Sequence, residues 1–310
     1  MRVVVALGGN ALSPSGATGS AEEMRAALAA TCSYLSGLVA DGVSLVITHG
    51  NGPQIGRILL QQEAAAPAIP AMPMDVCGAQ SQGQIGYLLA QAMDNALRAR
   101  GQSVAVLCLV TQVVVDGRDP AFRRPTKPVG PSYPRDTAQR IAHETGYVFQ
   151  PMRDGTWRRV VASPLPLGLV EERPLLEVIA AGHVVIASGG GGVPVVEEDG
   201  LLRGVEAVVD KDRTAARLAG LVDADVLCIL TDVPAVQVGF GTPEGRPLAR
   251  ISAVDARELL ATGEFPEGSM GPKVAAACDF VEAGGARAVI TDLASVADAI
   301  FGEAGTQITR

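Results

Sequence analysis

Only three of the 25 basic side chains in this 310-residue chain are lysines: Lys127, Lys211 and Lys273. Where arginine serves the general surface charge, lysine is retained where a compact, mobile ammonium is needed. A migrating phosphoryl group is one such place. Each lysine lies in a motif rich in Gly, Pro or Asp: Thr126-Lys127-Pro128-Val129-Gly130-Pro131, Asp210-Lys211-Asp212 and Ser269-Met270-Gly271-Pro272-Lys273. Asp212 stands at the start of an expected helix, Arg213–Leu221, close enough to Lys211 to orient it or to help position a metal. Asp210 and Asp212 are equally good helix-start residues with no further task. Arg158 and Arg159 could also reach an anion, although paired arginines on a hairpin are more often a solvated face.

Glycine supplies the second set of candidates. Gly8-Gly9-Asn10, His49-Gly50-Asn51-Gly52 and Ser188-Gly189-Gly190-Gly191-Gly192 each follow an apolar run, as does Thr231-Asp232. Gly allows several backbone N–H groups to converge on phosphate oxygens, so these loops together imply an anionic ligand; any one of them alone could be a capped turn. Neither G-x-x-x-x-G-K-[ST] nor G-x-G-x-x-G occurs. His49, His143 and His183 lack metal-ligand spacing. The chemistry therefore rests on lysine, backbone amides and Mg²⁺, with no protein metal site expected.

The elements that must position these groups alternate. Short β-branched runs, Val3–Leu7, Val43–Thr48, Val104–Leu109, Val184–Ala187, Val226–Leu230 and Ala288–Ile290, are separated by Ala/Leu-rich segments of helical period. That is the pattern of an α/β fold, three layers α/β/α around a mainly parallel sheet, with ligands at the carboxyl edge. A composition 48% hydrophobic but only 4% aromatic suits parallel strands covered by Ala-rich helices. Residues 113–166 break the rhythm with Pro, Arg and Gly and are expected to form a small lobe inserted in one domain spanning 1–310. Within it Asp116-Gly117 and Asp154-Gly155 signal turns and Trp157–Val161 a hairpin strand. Gly239 to Pro247 is expected as a surface loop.

A net charge of −8 without a Lys/Arg block disfavours nucleic acid and anionic membranes as partners. Five dispersed cysteines without C-x-x-C suit a reduced cytoplasmic protein, and the longest apolar stretch, Val104 to Val115, is interrupted by Thr111 and Gln112, so neither export nor a membrane anchor is expected.

Longer motifs narrow the reading. Ala6-Leu7-Gly8-Gly9-Asn10-Ala11-Leu12, Thr48-His49-Gly50-Asn51-Gly52-Pro53-Gln54, Asp75-Val76 and Ser81-Gln82-Gly83 resemble the carbamate kinase family of the amino acid kinase superfamily. So do Thr111-Gln112-Val113, Asp119-Pro120-Ala121-Phe122, the Lys127 motif, Gly204 to Asp212 and Gly268 to Lys273, and the resemblance covers essentially the whole chain. Acetylglutamate and uridylate kinases are similar in fold only. Many such relatives carry a lysine just before the first Gly-Gly, where this chain has Ala6, and the resemblance implies that Lys211 supplies that charge.

The resemblance implies reversible phosphoryl transfer between carbamoyl phosphate and ADP. Gly8, Gly9, Asn10, Gly50, Asn51 and Gly52 would bind the carbamoyl phosphate end, with Gly190 and Gly191 nearby. Lys211 and Lys273 would flank the phosphoryl, Asp212 would orient them, and Lys127 would close over as a clamp from the lobe. Thr231, Asp232, Met270 and Gly271 would line the nucleotide site with Lys211 and Lys273. Mg²⁺ bridging the nucleotide phosphates, a homodimer and a role in catabolism of arginine, agmatine or purines are further implications. Two rivals stay open: a related kinase of another small carboxylate or phosphonate, and a nucleotide-binding regulator without turnover.

Overall fold

The computed structural model describes residues 1–9, 11–12, 16, 18–152, 154–266 and 268–310. The chain opens with β1 (Arg2–Leu7), α1 (Ala21–Ala40), β2 (Ser44–His49), α2 (Gly52–Ala65), α3 (Met74–Ala99) and β3 (Val106–Cys108). Its middle part runs β4 (Gln112–Val114), β5 (Lys127–Tyr133), α4 (Arg135–Thr145), β6 (Phe149–Pro151), β7 (Trp157–Val161), β8 (Gly168–Leu169) and α5 (Glu172–Ala180). There follow β9 (Val184–Ile186), β10 (Val193–Glu198), β11 (Leu201–Gly204), α6 (Lys211–Leu221) and β12 (Val226–Leu230). The last part comprises β13 (Gln237–Val238), β14 (Arg246–Pro247), β15 (Arg250–Ser252), α7 (Ala253–Ala261), α8 (Met270–Glu282), β16 (Arg287–Thr291), α9 (Val296–Phe301) and β17 (Thr306–Thr309).

Strand β1 shows why three layers form. Val3, Val5 and Leu7 join the apolar cluster made with α1, α3 and α9, while Val4 and Ala6 join the opposite cluster with α5 to α8. Period-two alternation with apolar residues on both sides demands helices on both faces. The main sheet has the order β15-β17-β16-β12-β1-β2-β9-β3, and among the described residues its only antiparallel pairing is β16 with β17. The six strands expected from sequence all lie in it, within two residues at each end. The edge pair β15 and β17 is an addition.

The middle of the chain divides between two small sheets. β5, β7 and β6 form an antiparallel sheet with β7 in the centre, and α4 packs against β6 and β7. This unit rests on the body through Val129 and Val161, which pack with Ile55, Ile58, Leu59, Met74 and Cys77 of α2 and α3. Gln112–Val114 pairs instead with β10 and β8 in a four-stranded sheet, β11-β10-β4-β8. Two further differences concern local elements. Helix α6 begins at Lys211, two residues before the expected start, because Asp210 and not Asp212 is its N-cap. The expected loop over Gly239 to Pro247 ends in β14, which pairs with β13. The five cysteines are free, and no helix among the described residues is long and apolar enough to cross a membrane.

Candidate active site

Parallel pairing brings the chemistry-bearing loops to one edge. Leu7 is in register with His49, and Ala6 with Ile229, so the segments after β1, β2 and β12 leave the sheet side by side. A Cβ on Gly8 would lie 2.8 Å from the Leu230 carbonyl oxygen, and one on Gly50 would lie 3.6 Å from Lys211 Cδ. The Gly189–Gly191 turn after β9 folds over the same edge. Gly190 and Gly191 have φ of 66° and 92°, and their Cβ positions would fall 2.2 Å from Asn51 Nδ2 and 2.2 Å from the Val209 carbonyl oxygen, respectively. Both conformation and space therefore require glycine there. Thr214 of α6 fixes the turn by donating its hydroxyl to the Gly191 carbonyl at 3.0 Å.

Two ammonium groups share one carboxylate at this edge. Lys211 Nζ donates to Asp212 Oδ1 at 2.6 Å, and Lys273 Nζ donates to Asp212 Oδ2 at 3.1 Å. Asp212 is buried, with 4% of its surface exposed. Burial pushes its carboxyl pKa up, but Lys211 and Lys273 outweigh that and hold it at about 2. The cluster carries one net positive charge in a poorly hydrated place beside the Gly50 backbone. Such a site attracts an anion more strongly than an exposed lysine would.

The third lysine comes from β5. Lys127 Nζ meets Asp210 Oδ2 at 2.7 Å, and its side chain is 36% exposed. Asp210 uses its other oxygen to cap α6, accepting from the Asp212 and Arg213 amides at 3.0 and 3.4 Å. Burial pushes the Asp210 pKa up, and Lys127 more than reverses the effect.

Helices α2 and α8 also open on this region without a side-chain cap. Asn51 turns its amide away, donating to Ser81 Oγ at 2.8 Å, and Ser269 makes no cap bond. Pro53 and Pro272 remove one first-turn N–H from each helix and the Gly271 amide donates to the Pro266 carbonyl at 3.0 Å, so what these ends offer an anion is the N-terminal end of the helix dipole and the amides that remain. Met270 and Gly271 are the first two residues of α8 and share its first turn with Lys273. Thr231 and Asp232 line a cavity of about 310 Å³ whose walls include Gly8, Leu230, Asp292 and Leu293.

The structure thus brings together Gly50, Asn51, Gly190, Gly191, Lys211, Asp212 and Lys273, with Lys127 held at the adjoining Asp210. Gly9 lies in the loop after β1, Gly52 opens α2 beside Asn51, and Thr231 and Asp232 border the cavity next to Gly8. Asn10 lies outside the described residues.

Three residues named in the motifs without an assigned role are placed by the structure. His49 is fully enclosed, its Nδ1 is 2.9 Å from the Gly50 carbonyl, and a Cβ on Gly189 would lie 2.4 Å from its Nε2. Burial lowers its pKa to about 4, with Lys211 adding to the effect against the Gly50 hydrogen bond, so the ring is neutral at pH 7. Ser188 takes a left-handed φ of 54° and is wholly buried. Arg159 is 9% exposed, which corrects the expectation of a solvated arginine pair.

Comparison with known proteins bears on the chain as a whole. The model of the amino acid kinase family matches residues 1–292. A carbamate kinase of Pyrococcus furiosus is 48% identical over 309 residues, covering 99% of this chain and 98% of that protein. The chain belongs to the carbamate kinase family. Other carbamate kinases of similar length include one from Trichomonas vaginalis, 42% identical with 99% of each chain covered. The solved structure of a Giardia lamblia carbamate kinase bound to AMP-PNP matches with a TM-score of 0.94 and 40% identity, over 99% of this chain and 98% of that one. The fold is the amino acid kinase fold of these carbamate kinases, and the chain is accordingly a phosphotransferase.

Proposed function

We propose that this carbamate kinase transfers the phosphoryl group of carbamoyl phosphate to ADP, reversibly, with the Asp212-centred lysine pair as its electrostatic core. The observation that carries the reading is Asp212 splitting Lys211 and Lys273 beside the Gly50 backbone. An oxygen of the ADP β-phosphate attacks phosphorus, the bond from phosphorus to the carbamate oxygen breaks, and carbamate leaves as an oxyanion. Carbamate is a competent leaving group and, in reverse, a competent nucleophile, so no general acid or base is required. The demand on the protein is placement and charge: Lys211 and Lys273 face the oxygens on which charge spreads, and the backbone at Gly8, Gly9, Gly50, Gly52, Gly190 and Gly191 cradles the rest. Asn51 belongs to the same cradle.

On the other side, Met270, Gly271, Thr231 and Asp232 receive the nucleotide, and Lys127 closes from the lobe, residues 113–166, as a movable clamp. Among the described residues no three acidic, His or Cys side chains gather around one point. In this reading Mg²⁺ enters as part of the MgADP substrate, where its preference for retaining waters suits phosphate oxygens as partners. The reading extends to a cytoplasmic homodimer joined through the main domain, where Tyr34 of α1 and Tyr87 of α3 are exposed on helices packed together. Use in nitrogen catabolism, arginine breakdown included, belongs to the same reading.

The test is luciferase-coupled ATP formation from carbamoyl phosphate and MgADP. Wild-type protein forms ATP, and Lys211→Ala or Lys273→Ala lowers kcat by about 10²–10³-fold, as when one donor to a developing oxyanion is lost. Equal rates in wild type and variants overturn the site. ATP from acetyl phosphate but not carbamoyl phosphate moves the assignment to another small carboxylate.

A further inference from the structure

Lys127 faces two demands. In the structure it is bound to Asp210, which caps the helix carrying Lys211 and Asp212. In the proposed reaction it accompanies the phosphoryl group, and one ammonium on one stem cannot hold the lobe to Asp210 and follow the substrate together. Something else must keep β5 in place when Lys127 lets go.

The candidate is on the neighbouring strand. Arg159 occupies central strand β7, in register with Val129 of β5 and Phe149 of β6. Its side chain is 11% exposed and ion-paired to Glu206, and its guanidinium lies 3.4 Å from the centroid of the Tyr147 ring. Tyr147 belongs to the lobe and Glu206 to the body, in the segment leading into α6. Between the two ion pairs of that segment, Ala162 bridges to Ala207 and the Val208 amide donates to the Ala162 carbonyl at 2.9 Å. Glu206–Asp210 is therefore a five-residue rail gripped at one end by Arg159 and at the other by Lys127. The rail also carries Val209, whose carbonyl lies under Gly191. A shift of the rail thus reaches the glycine turn and the N-terminus of α6 together.

Chemistry separates the two grips. Lys127 is a flexible, partly exposed point charge, suited to release. Arg159 is planar, stacked and enclosed, and leaving Glu206 would strand a desolvated cation. Burial lowers its pKa, while Tyr147 and Glu63 oppose the shift.

We propose that Arg159 is a positioning residue for phosphoryl transfer: stacked on Tyr147 and paired with Glu206, it holds the lobe in register on the Glu206–Asp210 segment while Lys127 leaves Asp210 for the substrate. This rests on the reaction proposed above. Arg159 touches no substrate and acts only through where it puts Lys127.

A double-mutant cycle in the ATP-forming assay tests this. Arg159→Lys keeps the charge but loses the planar fork and stack, and lowers kcat about tenfold with KM for ADP unchanged. In the Lys127→Ala background the same substitution has no further effect, because the group it positions is gone. Additive losses, or a raised KM for ADP at unchanged kcat, overturn the proposal. A second readout is independent of activity: amide exchange at Val208 accelerates about tenfold in Arg159→Lys and in Glu206→Gln, while Val4 and Leu227 in the main sheet are unchanged. Unchanged exchange at Val208, or acceleration of all three amides, also overturns it. Should wild type form no ATP, the reaction reading fails on that result alone, and the exchange measurement still decides whether Arg159 holds the lobe.

Discussion

Asp210 and Asp212 stand two residues apart, yet they hold lysines in opposite ways. Asp212 is buried and binds two ammonium groups from the body, one on α6 and one on α8. Asp210 binds one, from the lobe, on a side chain 36% exposed. The packing beneath them differs likewise. Lys211 and Lys273 stand on helices set into the main core, whereas the lobe rests on a small patch around Ile55, Ile58, Val129 and Val161. Two of the three ammonium groups are thus held by a buried carboxylate, as suits a charge whose reorganisation would cost rate, and the third is held at a partly exposed pair, as suits the movable clamp proposed above.

The largest expected effect comes from removing the fixed partner. Asp212→Asn leaves two enclosed ammonium groups facing a neutral amide, and losing one member of a buried ionic cluster costs about 3–5 kcal/mol. Asp210→Asn keeps a good helix cap and loses only a partly exposed pair, at under about 1 kcal/mol. Urea unfolding of the two variants measures the gap. Equal losses would show that the body and lobe lysines are held alike and would remove the distinction.

Acid acts on the body in two windows of pH. The unfolded chain protonates His49 near 6.5, while the folded protein resists until about 4. Between those values the unfolded state binds more protons, so stability falls as pH falls, by up to about 3 kcal/mol. Asp212 acts in a lower window. Its folded pKa of about 2 lies below the unfolded value of 3.8, so its contribution is complete above that value and is lost as pH falls from 3.8 through 2. The unfolding midpoint of His49→Gln, measured against pH, should lose the slope between 6.5 and 4. A slope that persists would place the acid sensitivity elsewhere.

How much of this was legible depended on how far each residue's neighbours lie along the chain. Val3–Leu7, Val226–Leu230 and Trp157–Val161 declare themselves locally, through alternation or β-branched runs. The lysine motifs did too, because lysine is scarce here. The start of α6 was ambiguous in principle: Asp210 and Asp212 are both acceptable caps, and what turns Asp212 inward and leaves the cap to Asp210 involves lysines far along the chain, Lys273 for Asp212 and Lys127 for Asp210. Strands β4 and β8 span three and two residues, too short for any period, and their partners are distant in sequence. Arg159 carried a signal that the dipeptide obscured. Neighbours on a strand point to opposite faces, so Arg158 and Arg159 cannot both be solvated on the outer side. The same holds for His49, which ends a β2 that is buried on both faces.

The smallest expected effect lies on the lobe's third tie to the body. Tyr133 of β5 donates its hydroxyl to Glu63 of α2 at 2.9 Å, in a contact open to solvent. Burial raises the phenol pKa, and the Glu63 carboxylate adds to it, so the hydroxyl keeps its proton and the bond persists well above neutral pH. Because water can replace either partner, Tyr133→Phe should cost about 0.5–1 kcal/mol of stability. It should change kcat and KM for carbamoyl phosphate by less than about twofold, a factor that corresponds to only a few tenths of a kcal/mol. The bond ties the end of β5 away from Lys127 to α2 and leaves the segment that carries Asp210 untouched. A loss matching that of Arg159→Lys would mean that the hold on the lobe is spread over α2, and that the contrast between a fixed body and a lobe gripped at one rail is drawn too sharply.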